Sequence, residues 1–564
     1  LKRVSQQKST FFGGAAILAA GIAIVKVIGA LYKIPIANIL GDEGNGHFSN
    51  AYVIYNLLLM VSTAGLPVAL SKTIAEAHTL GWKNQVNRIF RVALLTFLIL
   101  GIISFAVMFQ FAEPLARWQG DSLAVNAVRA LAPACFFVCI ISAFRGYAQG
   151  HSDMVPTSVS QIIEALGKLI IGVALAWYFM SINAGTEVAA AGAIFGVTAG
   201  AGIALIFLIL SHKHREVPAT LEQAQDTPDS TGKILKRLLV IAVPITLGAS
   251  VVPITTWLDT YQVQNILRTV MQTESAEYYK ALNLVDPVVA AYGSYQKAIN
   301  VFNLPSSFMV ALTACIIPAI SACWTKRDQL GVGRIAESSL RVGSLLAFPA
   351  GIGLTALASP IMRLLYLDTN HAVADPCMLV LGIASIFVCL MFICNAILQA
   401  SGFVNLPIFA MLLGCIAKLM VNNYLVRQEG IGIVGAPIGT LTCYVIVSVL
   451  ELIIIKRVMP RPPSYIRIFM KPMIAAILMG VGAYASYGLL SKLLLGISRF
   501  QSVVEGSGDL ALSLLGNAVA TMGAIGVGVI IYVALIVTLK AISKEDLLLM
   551  PKGEKIAQIL RLRD

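Results

Sequence analysis

The sequence predicts an all-α polytopic membrane protein of about fourteen transmembrane helices: two parallel six-helix lobes followed by two C-terminal helices. Composition is the first reason. Of 564 residues, 58% are hydrophobic and 12% charged, with a mean hydropathy of +0.82, whereas a soluble domain is roughly a quarter charged. Patterning is the second, because the apolar stretches run about 20 residues, the length at which a helix crosses a bilayer. Internal repetition is the third. Gln149 and Lys168 are separated by the same 19 positions as Gln399 and Lys418, and each pair brackets a turn with a proline, Pro156 or Pro407.

In chain order the apolar stretches are 11–34, 48–70, 91–112, 128–149, 157–181, 188–210, 238–262, 291–317, 340–362, 376–399, 406–426, 436–455, 472–495 and 513–539. The first six form an N-lobe, residues 1–215. The polar stretch 216–236, with Pro218 and Pro228 among acidic residues, is expected to be a flexible cytoplasmic linker. The next six form a C-lobe, residues 237–456. Residues 457–564 hold helices 13 and 14 and a cytoplasmic tail, outside the repeat. Three further matches tie the lobes together: 112–117 with 358–363, 192–196 with 435–439, and Tyr55-Asn56-Leu57 with Phe302-Asn303-Leu304. Six helices is an even number, so both copies enter the membrane in the same direction. That gives lobes related by an axis along the membrane normal, with substrate handled between them by alternating access.

Lysine and arginine set the orientation. With the N-terminus inside, the inner segments carry roughly four times as many as the outer loops, so both termini are expected in the cytoplasm of a bacterial plasma-membrane protein. The net charge of +13 follows from that sidedness, and no nucleic-acid partner is expected. The nine cysteines lie mainly in apolar stretches without ligand or disulfide spacing, and no metal centre is expected. No glycine-rich phosphate loop followed by Lys-Ser/Thr is present, nor any nucleophile elbow or pair of catalytic acids, so the chain is not expected to be an enzyme. A membrane glycan polymerase, one alternative, would need the long outer loops that this chain lacks.

Charges inside spanning helices are costly and mark cavities or partners. The basic ones are Lys26 and Lys33 in the first segment, Arg145 in the fourth, Lys168 in the fifth, Lys297 in the eighth and Lys418 in the eleventh; the acidic ones are Glu164, Asp259 and Glu451. Lys26 and Lys33 are seven apart and share one helix face. Glu164 precedes Lys168 by four residues, the spacing of an ion pair on one face. Arg145 stands near the cytoplasmic end of its helix, within reach of headgroups. The excess of positive charge suits an anionic cargo, since lysines meet phosphate as point charges; a cationic-drug exporter would be expected to bury carboxylates. All six basic residues are therefore candidates for substrate binding. Asp259 and Glu451 are candidates for a coupling cation, sodium or proton, and no other cofactor is expected.

These residues also carry a resemblance. Gly29-Ala30-Leu31-Tyr32-Lys33-Ile34-Pro35, Leu40-Gly41, Phe48, Ala51-Tyr52, Tyr55-Asn56, the run from Ser62 to Pro67, and Ser71-Lys72 resemble the opening of the stage V sporulation protein B-like polysaccharide transporters. Leu304-Pro305, Ala311-Leu312, Pro318 and Ser321 are similar to that family's eighth helix. The family belongs to the multidrug/oligosaccharidyl-lipid/polysaccharide (MOP) exporter superfamily, beside the lipid II flippases, and the likeness covers nearly the whole chain. It implies a flippase moving an undecaprenyl-pyrophosphate-linked oligosaccharide, lipid II or a polysaccharide precursor, from the inner to the outer leaflet. It further implies that Lys26, Lys33 and Lys297 meet the pyrophosphate and that the two extra helices form a groove for the lipid tail. Where the lipid II flippases carry an arginine in the second helix, this chain has Leu59-Met60-Val61. The partners expected are the lipid-linked glycan and membrane lipids, with the protein a monomer. The alternative within the superfamily is an ion-coupled drug/cation antiporter.

Overall fold

The computed structural model describes residues 2–213, 226–273, 286–367, 369–428, 430–459, 463–503, 510–539 and 541. They are nearly all helix and fall into two compact units, Leu1–Gly293 and Ser294–Asp564. Twelve of the helical stretches are long and apolar enough to cross a membrane. The first two expected segments share one of these, and the eighth lies in a helix that is not among the twelve, so the count of fourteen is not confirmed among the described residues.

The first unit contains α1 (Lys2–Thr63), α2 (Leu66–Thr79), α3 (Lys83–Gln110), α4 (Ala112–Trp118), α5 (Val125–Gly150), α6 (Val155–Gly167), α7 (Val173–Ser181), α8 (Thr186–Lys213) and α9 (Thr231–Thr273). It also holds the start of α10 (Pro287–Thr325). α1 is broken at Gly41, whose φ of 67° and ψ of −166° lie where only glycine sits without strain. That break divides the first expected segment from the second. Between α6 and α7 the chain makes a π-helical turn, Lys168–Gly172, a feature frequent at functional sites. This stretch lies directly on α8: a side chain at Gly167 or Gly196 would strike Gly200 or Gly172. Small residues are how membrane helices approach closely.

α9 is fastened at both ends. At one end Asp226 caps α3 by accepting from the Asn84 and Gln85 amides at 3.1 and 2.7 Å, and Arg237 pairs with Glu76. Of the expected linker, residues 216–225 lie outside the described residues, 226–230 dock on α3, and α9 already begins at Thr231. At the other end Gln264 donates to Asn50 at 2.6 Å, and Arg268 bonds the Gly120 carbonyl and Asp286, the latter at 2.6 Å. Beneath them Asp121 accepts from His47 and Asn50 at 2.8 Å each, and all three side chains are buried.

The second unit continues α10 and adds α11 (Gln329–Ala356), α12 (Ala358–Leu365), α13 (His371–Ala400), α14 (Asn405–Leu425), α15 (Gly435–Val458), α16 (Tyr465–Leu495) and α17 (Leu514–Thr538). A two-stranded hairpin, β1 (Gln501–Val503) and β2 (Leu510–Leu512), joins the last two. These helices lie against α11 and α12: Tyr532 donates to the Leu345 carbonyl at 2.8 Å and Asn517 to that of Pro360 at 3.1 Å. The expected C-terminal tail falls on residues 542–564, outside the described ones.

The repeat is visible in the backbone. The α5–α6 turn has Ser152 at φ 61°, and the α13–α14 turn has Gly402, 250 positions later, at φ 87°. Ser152 donates to the Gln149 carbonyl at 2.9 Å and Gly402 to that of Gln399 at 3.1 Å; Asp153 and Phe403 likewise reach Ala148 and Leu398. Deeper in, a Cβ at Gly196 would lie 3.2 Å from the Lys168 carbonyl, and one at Gly439 the same distance from that of Lys418. The copies part at the π-turn, because α14 runs as uninterrupted α-helix.

Candidate functional site

Three of the singled-out lysines come together in the first unit. Lys26 and Lys33 stand on α1, both exposed on the protein surface, with open space around Gly29 between them. The apolar exposed face of the same helix, Ile24, Val27 and Leu31, is turned about 140° away. α1 lies along the α6–π-turn stretch, touching Ser158 at Gly21 and Gly172 at Tyr32. Those two contacts place Lys168 about one turn short of Tyr32's level, at a height between Lys26 and Lys33. Lys33 is within electrostatic reach of both Lys168 and Lys26. Among the described residues none of the three has a carboxylate partner.

The Lys168 ammonium rests over aromatic rings instead, 5.3 Å from the centroid of Tyr32 and 6.0 Å from that of Tyr52. The rings continue through Phe48, which stacks on Tyr52 at 5.8 Å and 13°. The Glu164–Lys168 ion pair expected from their spacing is not formed. Glu164 is held by Arg145 at 3.1 Å, whose Nε donates to Ser160 at 2.9 Å. Arg145 reaches across from α5, and the helix widens into its π-turn at Lys168. Arg145 is thus half-buried and neutralised, not among the three lysines.

The second unit holds Lys297 and Lys418. Lys297 is fully buried, donates to Thr369 at 2.7 Å and lies 5.6 Å over the Tyr366 ring. Lys418 is half-buried on α14. Of the two acids, Asp259 is buried on α9 in the first unit, and Glu451 is buried on α15 in the second. Neither Glu451 oxygen has a hydrogen-bond partner among the described residues. Groups of three or more metal-binding side chains are absent among the described residues.

Chemically, ammonium groups with no carboxylate partner among the described residues suit a multiply charged anion, each lysine offering up to three donors without cancelling its charge. Sequence reasoning did not assign Tyr32 and Tyr52 a role. Both stand in the stretch that carried the family likeness, but their place under Lys168 depends on contact between helices more than a hundred residues apart.

Comparison with known proteins places the fold. Residues 12–324, more than half of the chain, match the family model for polysaccharide biosynthesis protein, and residues 286–424 match the MatE model. Stage V sporulation protein B of Bacillus subtilis (strain 168) is 25% identical over 80% of this chain and 85% of its own. Lipid II flippase MurJ of the same organism is 23% identical over 80% and 83%. A solved structure, lipid II flippase MurJ in an inward closed conformation, superposes with a TM-score of 0.67 at 13% identity, covering 93% of this chain and 98% of that one. The chain belongs to the polysaccharide biosynthesis protein family and so to the MOP exporter superfamily, as a multi-pass membrane transporter.

Proposed function

We propose that this member of the polysaccharide biosynthesis family is a flippase for an undecaprenyl-pyrophosphate-linked oligosaccharide, carrying it from inner to outer leaflet by alternating access. The observation that carries the reading is the set of Lys26, Lys33 and Lys168 along α1 and the π-turn of the first unit, three ammonium groups without carboxylate partners among the described residues. Exposed lysines at that depth are costly against lipid and tolerable against a polar cavity. In the second unit Lys297 and Lys418 are the candidate anion-binding residues, and in the first Arg145 orders α6 through Glu164. Energy comes from an ion gradient or the membrane potential, with Asp259 and Glu451 as the candidate cation or proton carriers. The protein acts as a monomer in the plasma membrane, with both termini in the cytoplasm.

Native mass spectrometry of gently purified protein tests this. Retained polyprenyl-phosphate species, lost in a Lys26→Ala/Lys33→Ala/Lys168→Ala variant, are expected. The MatE match and the buried Glu451, which has no hydrogen-bond partner among the described residues, favour a second reading, an ion-coupled drug/cation antiporter. Phospholipid alone in the spectra, with proton-driven efflux of cationic dyes from vesicles, would select it.

A further inference from the structure

We infer that Tyr32 is a positioning residue of the anion site, fixing the Lys168 ammonium over its ring face while leaving the positive charge free to meet a pyrophosphate. This rests on the anionic-cargo reading above and adds to it the device that keeps the charge available.

The ring is itself firmly held. Tyr32 is 2% exposed, its hydroxyl donates to the Ala193 carbonyl on α8 at 3.3 Å, and Phe48 tilts against it at 6.2 Å. Gly172, which closes the π-turn, leaves the room it fills: a Cβ there would lie 3.3 Å from Tyr32 Cε2. Lys168 opens the same turn, so the π-turn and the ring are fitted to each other.

The chemistry follows from what a ring does that a carboxylate does not. A carboxylate would order Lys168 and cancel its charge. An aromatic face attracts the ammonium through its quadrupole and carries no net charge, so the site keeps its full positive potential. The available acid, Glu164, lies one turn away and is kept off Lys168 by Arg145 and by the turn's geometry. Lys33, adjacent to Tyr32 in the chain and in electrostatic reach of Lys168, would otherwise drive the long side chain outward. An ordered cation also loses less entropy on binding than a free one.

A double-mutant cycle tests the inference on full-length protein in nanodiscs, with undecaprenyl pyrophosphate as probe and thermal melting to verify folding. Tyr32→Phe keeps the ring and is expected to bind within about twofold of the native protein. Tyr32→Leu is expected to weaken binding by between about twofold and thirtyfold, the range of a cation–π contact. In a Lys168→Ala background it should add nothing. Tyr52→Leu, at a half-buried position, repeats the cycle should Tyr32→Leu fail to fold, and the same dependence on Lys168 is expected. A loss that persists undiminished in the Lys168→Ala background, or leucine variants that bind as the native protein does, overturns the positioning role alone. A native protein that does not bind the probe, or a Lys168→Ala protein that binds it unchanged, overturns the anionic-cargo reading and this inference with it.

Discussion

A basic side chain in a spanning helix can be neutralised by a carboxylate, reach a headgroup, or face a polar cavity. Arg145 takes the first course and Lys168 does not, which reverses what spacing along one helix suggests. The i,i+4 rule sees only its own helix, and Arg145 reaches Glu164 from 19 residues upstream. Different outcomes are therefore expected on truncation. Lys26→Ala, Lys33→Ala and Lys168→Ala should each weaken undecaprenyl pyrophosphate binding about tenfold or more, the usual loss for one charge-assisted hydrogen bond, with melting temperature unchanged. Arg145→Ala should destabilise the protein by about 1–3 kcal/mol, because it strands the Glu164 carboxylate, and Glu164→Gln should restore most of that loss. Thermal melting in nanodiscs separates the two classes. Full melting stability in the single arginine variant would show that the pair does not hold α6. Lys26 and Lys33 were legible from sequence because depth in an apolar helix is a one-dimensional property. Tyr32 and Tyr52 were not, because burial of a ring under a lysine is not.

At the scale of elements, sequence patterning locates helices well and their joints unevenly. The break in α1 at Gly41 and the turn at 150–154 carry glycine or repeat signals, whereas the π-turn at Lys168–Gly172 has none, since its residues would continue an α-helix equally well. The polar knot formed by His47, Asn50, Asp121 and Gln264 was equally hidden. Its bonded pairs lie 71 to 214 positions apart and meet only when α1, the α4–α5 turn and α9 are in place. Asp121 is its centre, because the same carboxylate accepts from the Leu123 and Ala124 amides at 3.1 Å. Asp121→Ala should therefore cost about 3 kcal/mol or more, stranding a buried histidine and taking one of two acceptors from Asn50. Asp121→Asn, which keeps an acceptor for the amides, should cost distinctly less. Equal melting temperatures for the two variants would mean that the histidine contact, not the turn, sets the stability.

Two divisions of the whole molecule coexist. The duplication expected from sequence pairs 1–215 with 237–456, and its matched positions include the turns at Ser152 and Gly402 and the glycines Gly196 and Gly439. Contacts instead group α9 with α1 through α8. The second division has a physical cause that the sequence repeat does not express. α9 is bonded near its start to Glu76 and, through Asp229, to Gln85, along its length to Gly65 through Thr246 at 3.1 Å, and near its end to Asn50 and Gly120. None of these bonds needs an intact chain across 216–225. A protease site inserted at position 220 and cut after purification should thus leave the two fragments migrating together, because α9 stays docked on the first unit. Gln264→Ala combined with Arg237→Ala and Arg268→Ala, which removes bonds to Glu76, Asn50 and Gly120 at the two ends, should lower the melting temperature of the cut protein more than that of the uncut one, since only the uncut chain keeps α9 at high effective concentration. Size-exclusion chromatography and melting of the four samples decide it. Fragments that separate on cutting without any substitution would show that chain connection, not these contacts, keeps α9 with the first unit.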